Sequence, residues 1–255
     1  MTTPVQAVPY NSIADSTTHP ITFAAPAVGN RLVIAVNAGS GVTGISGSGW
    51  TREVGIISNT DTAIYSKIAG ASEPTTVTLT LGGAASCNLY MEEIPTALSG
   101  VADQVASNDS GVVPGGSQNT IPTGTTAATT VADAYAFAAF GVVQAAGVLG
   151  TYTNGFAEAM QGTSTGAGGV NVRMAVATKT LTATGAVSSQ VSSTNPQTTM
   201  LGVVAVFGLT GGGGGSGGGA ATGGGGDGGG AGYTLSTITV TPGETLTVYV
   251  GGGGN

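Results

Sequence analysis

The amino-acid sequence predicts an all-β protein, with a jelly-roll-like two-sheet β-sandwich in residues 1–209 and a glycine-rich module with a terminal β-hairpin in residues 210–255. Short runs rich in Val, Ile, Thr and aromatic residues recur along the chain and are separated by Gly, Pro, Asn and Ser, which is the pattern of strands and turns. No segment combines helical spacing of apolar residues with capping signals, so we expect few helices. Glycine accounts for 47 of the 255 residues and is concentrated near the end of the chain.

The first group of predicted strands ends at Ile94. Arg31–Asn37 is apolar at most positions, which is typical of a central strand covered on both faces. Residues 62–69 and 76–81 alternate between two faces, and we expect Val77, Leu79 and Leu81 to point into the core. The predicted strands are Ile21–Phe23, Arg31–Asn37, Trp50–Ile57, Thr62–Ala69, Thr76–Leu81 and Cys87–Ile94, with a glycine-rich loop over residues 39–49.

Residues 95–130 are mostly small and polar, and they predict a long excursion with short edge strands. Residues 134–146 are rich in alanine, but their aromatic residues and Gly141 favour a strand over a helix. The longest apolar runs are about half the roughly 20 residues that a membrane-spanning helix needs, so no membrane insertion is expected. The strands of the second group are predicted at Asp133–Val143, Thr151–Met160, Val170–Leu181 and Met200–Leu209.

The composition argues against several partners. Charged residues make up 7% of the chain, against about 25% in ordinary soluble domains. The net charge is −7, and the five basic residues are scattered, so nucleic acid is not an expected partner. Low charge density favours association between copies. The single cysteine, Cys87, excludes an internal disulfide and is expected in a buried strand. The N-terminal MTTPVQAVPY lacks the features of a secretory signal, which indicates assembly into a particle inside the cell or release by lysis.

Residues 211–232 form a glycine block in which all other residues are small. Ordering each residue costs roughly 1–2 kcal/mol, with almost no apolar burial to offset it. Two outcomes are open: a disordered linker, or glycine strands that pack side by side in polyproline-II form at an assembly interface. The candidate assembly residues are Gly211, Gly214, Gly218, Gly224, Gly229 and Tyr233.

A hairpin is predicted over Tyr233–Val250. Pro242 and Gly243 suit the two central positions of a type II turn. Because an isolated hairpin is marginally stable in water, we expect it to depend on neighbouring strands, including those of other copies.

The run Gly223–Tyr233, followed by a strand, the Thr241-Pro-Gly-Glu turn, a second strand and Gly251–Gly254, resembles the glycine-rich module of bacteriophage tail proteins and adhesins. The body is similar, more weakly, to phage structural proteins. The matching pieces are Gly29-Asn-Arg-Leu-Val-Ile, Gly49-Trp-Thr, Tyr65-Ser-Lys-Ile-Ala and Glu73-Pro-Thr-Thr-Val-Thr.

This resemblance implies a structural virion protein, most often a minor tail or tail-fibre component that acts in tail assembly and host-surface attachment. It also implies a homotrimer or higher oligomer, contacts with other virion proteins and with a host-surface glycan, and assembly in the host cytoplasm. Two alternatives stay open: a capsid decoration or head-fibre protein, and a carbohydrate-binding module.

Catalytic chemistry is not expected. His19 is the only histidine and has no context that ties it to a nucleophile. The adjacent Glu92 and Glu93 point to opposite faces of a strand, so they cannot act on one substrate. No calcium-loop pattern, Cys/His cluster or phosphate-binding context is present, and we therefore predict no cofactor and no metal site.

Two residues are candidates for contact with a ligand or receptor. Trp50 follows a glycine loop and could stack on a sugar, with help from Tyr65, Tyr90 or Tyr152. Filling of the sandwich core is the favoured alternative for this tryptophan. Asp227 is the only charge in the glycine block, either as a receptor contact or as a solubilising residue.

Overall fold

The computed structural model describes residues 3–95, 102–112, 118–143, 148–166, 171–197 and 199–208, which belong to one compact unit within Met1–Gly213. Strand is the only regular secondary structure among these residues, so the all-β prediction is confirmed. The predicted boundary after residue 209 and the whole module that follows it lie outside the described residues. The same is true of the candidates Gly211, Gly214, Gly218, Gly224, Gly229, Tyr233 and Asp227, which stay predictions.

The first half of the described chain is an eight-stranded sandwich. Its strands are β1 (Gln6–Asn11), β2 (Ser16–Thr22), β3 (Arg31–Ala38), β4 (Val42–Ile45), β5 (Thr51–Ile57), β6 (Asp61–Ile68), β7 (Thr76–Ala85) and β8 (Cys87–Ile94). Five of them form an antiparallel sheet in the order β1-β8-β3-β6-β5, and the other three form a sheet in the order β2-β7-β4.

The second half is also an eight-stranded sandwich. Its strands are β9 (Gln104–Val112), β10 (Gln118–Thr125), β11 (Asp133–Val143), β12 (Leu149–Tyr152), β13 (Ala157–Thr163), β14 (Val172–Thr182), β15 (Ser188–Gln197) and β16 (Thr199–Gly208). The five-stranded sheet has the order β13-β14-β11-β16-β9, and the three-stranded sheet has the order β10-β15-β12. The sequence predicts one sandwich over residues 1–209, whereas the structure contains two. The jelly-roll designation stays a prediction, because each sandwich has five strands in one sheet and three in the other.

The two sandwiches share one topology. Adding eight to each strand number of the first sandwich reproduces both sheet orders of the second. The strand registers also agree at one irregularity of the five-stranded sheets. The β5–β6 pair has a register shift between Arg52 and Val54, and the β13–β14 pair has one between Glu158 and Met160. The chain therefore contains two copies of one eight-stranded unit.

These registers assign each residue of one sandwich an equivalent in the other. Arg52 pairs with Tyr65, and Glu158 pairs with Ala177, so these two pairs occupy equivalent positions. Some positions carry the same residue type in both copies, and examples are Gln6 and Gln104, Pro20 and Pro122, Ala35 and Ala139, and Lys67 and Lys179.

The two five-stranded sheets pack face to face about a pseudo-twofold axis. Strand contacts across the interface occur in reciprocal pairs: β3 with β14 and β11 with β6, β1 with β13 and β9 with β5, and β8 with β14 and β16 with β6. The central strands β3 and β11 contact each other. Reciprocal contacts of this kind are the signature of an isologous interface.

The interface between the sandwiches is apolar in its centre and includes Val33, Ile64, Phe137, Val176 and Phe207. Each sandwich also has its own apolar cluster, which fills the space between its two sheets. Strand β3 is buried along its whole length, because alternate residues face its own core and the other sandwich. The prediction that Arg31–Asn37 is covered on both faces is thus confirmed.

Hydrogen bonds also join the two sandwiches. Asn37 Nδ2 donates to the carbonyl oxygen of Arg173 at 2.8 Å, and the amide of Thr165 donates to the carbonyl oxygen of Ser12 at 2.9 Å. The amide of Ala102 donates to Glu53 Oε2 at 2.9 Å. The two sandwiches are therefore held by directional bonds as well as by apolar contact.

Local structure differs from the predictions in four respects, and β1 is a further strand that was not predicted. The loop expected over residues 39–49 contains β4. The strand expected over Thr151–Met160 is divided by a turn in which Asn154 and Gly155 have φ angles of 58° and 75°, values that favour these residue types. The strand β15 was not predicted, and β9 and β10 are edge strands of nine and eight residues rather than short ones.

Candidate functional site

A pocket of about 360 Å³ opens on the first sandwich and contains the predicted ligand residue Trp50. Strand β4, the turn that precedes β5, and the start of the β5–β6 pair surround it. Its lining residues are Val42, Thr43, Gly44, Ile45, Gly47, Gly49, Trp50, Arg52 and Tyr65.

Trp50 is half-buried and fixed in its orientation. Its Nε1 donates to the carbonyl oxygen of Ser46 at 3.2 Å, within a turn in which Gly47 and Gly49 have φ angles of 84° and 87°. The indole packs against the apolar core of the first sandwich and also lines the pocket. One part of the Trp50 side chain therefore fills the core, and another part is available for contact with a ligand.

Arg52 and Tyr65 form the neighbouring wall of the pocket. The guanidinium carbon of Arg52 lies 5.9 Å from the ring centre of Tyr65. Arg52 Nη2 donates to Asp61 Oδ1 at 2.8 Å, and Asp61 Oδ2 accepts from the amide of Val42 at 2.9 Å. A Cβ atom at Gly55 would overlap the guanidinium, so glycine at this position makes room for Arg52.

The charges around the pocket are balanced in pairs. Asp61 is fully buried, and burial raises the pKa of its carboxyl group, against the lowering effects of the Val42 amide and of Arg52. Lys67 Nζ lies 5.8 Å from the ring centre of Trp50, donates to Glu73 Oε1 at 2.8 Å and is almost fully buried with it. Each cation near the pocket thus has its own carboxylate.

The pocket is suited to binding. It combines an aromatic wall with a small number of fixed polar groups, which is the usual composition of a small-molecule site. Asp61 is the carboxylate nearest the lining, and it is buried behind Arg52 rather than exposed to the pocket. The described lining contains no histidine, cysteine or serine that could act as a nucleophile with a base.

The structure brings only part of the predicted aromatic group together. Tyr65 lies beside Trp50 in the pocket, whereas Tyr90 lies in the interface between the sandwiches and Tyr152 belongs to the second sandwich. Arg52 and Asp61 were not predicted. Arg52 is two residues from Trp50 along a strand, and this spacing, which places side chains on the same face, could have indicated it.

His19 is buried and hydrogen-bonded within the first sandwich. Its Nδ1 lies 3.2 Å from the hydroxyl of Tyr10, and its Nε2 lies 3.0 Å from the carbonyl oxygen of Ala85. Nε2 donates in this contact, because a carbonyl oxygen can only accept, whereas the hydroxyl of Tyr10 can act as donor or acceptor toward Nδ1. Cys87 is also buried, as predicted, and burial raises the pKa of its thiol well above the usual range.

Glu92 and Glu93 point to opposite faces of β8, as predicted. Glu92 lies between the sandwiches, where its two carboxylate oxygens accept from the hydroxyls of Tyr90 at 2.7 Å and Tyr135 at 2.8 Å. Glu93 faces the other way and accepts from Asn30 Nδ2 at 2.5 Å. Each carboxylate is therefore part of the hydrogen bonding of the fold.

We expect Glu92→Gln to change how stability depends on pH. Burial raises the pKa of Glu92, although the two tyrosine hydroxyls act against it. The folded state therefore favours the protonated acid, so this contribution to stability is fully present below about pH 4 and is lost as the pH rises toward the raised pKa. Urea unfolding at a series of pH values should show the variant gaining stability relative to the wild type as the pH rises. A constant difference between the two proteins would contradict this expectation.

The described residues contain no group of three His, Cys, Asp or Glu residues placed to hold a metal ion. Among the same residues, no helix has the length and apolar character needed to cross a membrane.

Comparison with protein families, with curated proteins and with solved structures gave no significant match to this chain.

Proposed function

We propose that this protein is a structural virion component of a bacteriophage, a minor tail or tail-fibre protein that acts in tail assembly and host-surface attachment. Its activity is binding and scaffolding rather than catalysis. The resemblance of residues 223–254 to the glycine-rich module of phage tail proteins supports the assignment to a virion. The low content of charged residues, 7%, supports association between copies and with other virion proteins.

One structural observation carries the binding and scaffolding part of the proposal. Two sandwiches are joined through a continuous apolar interface and cross-bonds such as that between Asn37 and Arg173, and the Trp50 pocket lies outside that interface. A body of this kind presents a binding site in a fixed position. If it forms a trimer, three weak sites act together, and avidity supplies the affinity that one site lacks.

A carbohydrate-binding module is the second candidate function. The Trp50 pocket favours it, because a half-buried indole beside fixed polar groups suits a sugar ring. This candidate predicts a monomer in solution and no place in a virus particle. The virion proposal predicts a homotrimer or higher oligomer that assembles in the host cytoplasm.

Immunogold labelling of phage particles tests the virion proposal. Antibodies raised against the purified chain should label the tails of particles released from a culture that expresses the gene. Label confined to the capsid would instead support a decoration or head-fibre protein. Unlabelled particles, together with antibody that recognises the soluble protein in the same lysate, would contradict the proposal.

A further inference from the structure

We propose that the pocket lined by Trp50, Arg52 and Tyr65 binds a neutral pyranose unit of a glycan. This inference names a ligand class for host-surface attachment and rests on the proposed function for the source of the glycan. Comparison of the two sandwiches supports it, because they have one topology and different residues at this place.

The second sandwich shows that the fold does not require these residues. In the first sandwich the set comprises Trp50, Arg52, Asp61 and Tyr65. The residues at the equivalent positions are Phe156, Glu158, Arg173 and Ala177. The eight strands pair in the same order with either set of residues. The architecture by itself therefore does not explain why the first sandwich has Trp50, Arg52, Asp61 and Tyr65.

In the second sandwich a larger side chain occupies the equivalent space. Tyr152 takes the position of Ile45, and its hydroxyl donates to Glu158 at 3.2 Å. The tyrosine side chain therefore extends between positions that border the pocket in the first sandwich. Phe156 is only 6% exposed, whereas Trp50 is half-buried. A pocket of about 400 Å³ does lie beside Phe156, but it is on the side of Lys179 and Leu181, and the positions equivalent to Ile45, Arg52 and Tyr65 do not line it. The pocket between those three positions is thus a feature of the first copy.

The charge balance favours a neutral ligand over an anion. Arg52 lies 2.8 Å from Asp61, and Lys67 lies 2.8 Å from Glu73. Both carboxylates are at most 4% exposed, so they stay paired with their cations. An anionic ligand would have to compete with these acids for the two cations, while a hydroxyl group needs only a hydrogen-bond donor or acceptor.

The size and chemistry of the pocket suit a sugar ring. Its volume of about 360 Å³ is at the lower end of the range for small-molecule sites. The indole of Trp50 offers a flat apolar surface for the C–H face of a pyranose. Arg52 retains N–H groups beyond those that bond Asp61, and the Thr43 hydroxyl can accept a hydrogen bond, so both can bind sugar hydroxyls.

Trp50 is the only tryptophan in the chain, so its fluorescence reports directly on the pocket. We would first apply the purified full chain to an array of neutral and acidic oligosaccharides. The strongest neutral binder would then be titrated while tryptophan emission is recorded, with sialyllactose as the acidic comparison. We expect a saturable change in emission with the neutral sugar and none with sialyllactose.

Two variants locate the site by calorimetry. Trp50→Phe introduces the residue that the second sandwich tolerates at this position, and we expect at least about tenfold weaker binding, or 1.4 kcal/mol. Ile57→Ala changes a residue that is 61% exposed at the other end of the same strand, and its affinity should match that of the wild type.

Binding of acidic glycans alone, unchanged affinity in Trp50→Phe, or no neutral binder for a chain that circular dichroism shows to be folded would each overturn this inference. Immunogold labelling separates such a failure from failure of the proposed function. Particles that carry the label while the chain binds no neutral sugar would leave the virion assignment in place.

Discussion

Replacing Gly202 by alanine is expected to lower the free energy of unfolding by about 3 kcal/mol. Gly202 lies in β16, and a Cβ atom there would overlap the carbonyl oxygen of Pro122 and lie 2.7 Å from its carbonyl carbon. Pro122 belongs to β10 in the facing sheet. Because these are backbone atoms, no change of rotamer can relieve the overlap, and β10 must move away from the core that contains Ile121.

Gly150→Ala is the matched control. This glycine also lies in a strand of the second sandwich, and a Cβ atom there would have no neighbour within 4 Å. We expect its free energy of unfolding to stay within about 0.5 kcal/mol of the wild type. Guanidinium unfolding followed by circular dichroism compares the three proteins. Equal stabilities for Gly202→Ala and Gly150→Ala would contradict the close approach of Gly202 to the backbone of Pro122.

Removal of residues 210–255 is expected to have the largest effect on assembly. The glycine block contains almost no side chains that could be buried, so ordering it within one chain costs more than its own contacts return. Bonds between backbones of neighbouring copies are one source of compensation. If the block acts in this way, copies held together by residues 211–255 should separate when these residues are absent.

The strands with strong apolar signals could be predicted from the sequence, whereas β15 could not. In β15 the apolar residue facing the core is Val191, and the inward positions on either side of it are the buried serines Ser189 and Ser193. Hydrogen bonds to side chains also fix the position of β15, since the amide of Ser189 donates to Thr123 Oγ1 at 3.0 Å. A strand that depends on such bonds leaves little periodicity in the sequence.

The internal repeat was not visible in the sequence because the two copies fill their cores differently. Leu32 and Leu89 in the first sandwich correspond to Ala136 and Gly202 in the second. The interface shows the same exchange, with Val33 in one copy and Phe137 in the other. The two sandwiches keep the same strand order but place large and small side chains at different equivalent positions. Few identical residues therefore remain to indicate the repeat.

The candidate site could be predicted in part. The residue type of Trp50 and the preceding glycine loop predict a ligand contact, with Tyr65 as its helper. Their meeting depends on the pairing of β5 with β6, which no local pattern specifies. The ion pair between Arg52 and Asp61 depends on the same pairing, because it joins residues on two adjacent strands.

The mass of the protein in solution tests most directly whether the double sandwich assembles through its glycine-rich end. Light scattering on the full chain should give three times the 24.3 kDa of one chain, or a higher multiple, and the chain ending at Leu209 should give the mass of a monomer. A full-length protein with the mass of one chain, or an oligomer that survives the truncation unchanged, would contradict assembly through residues 211–255.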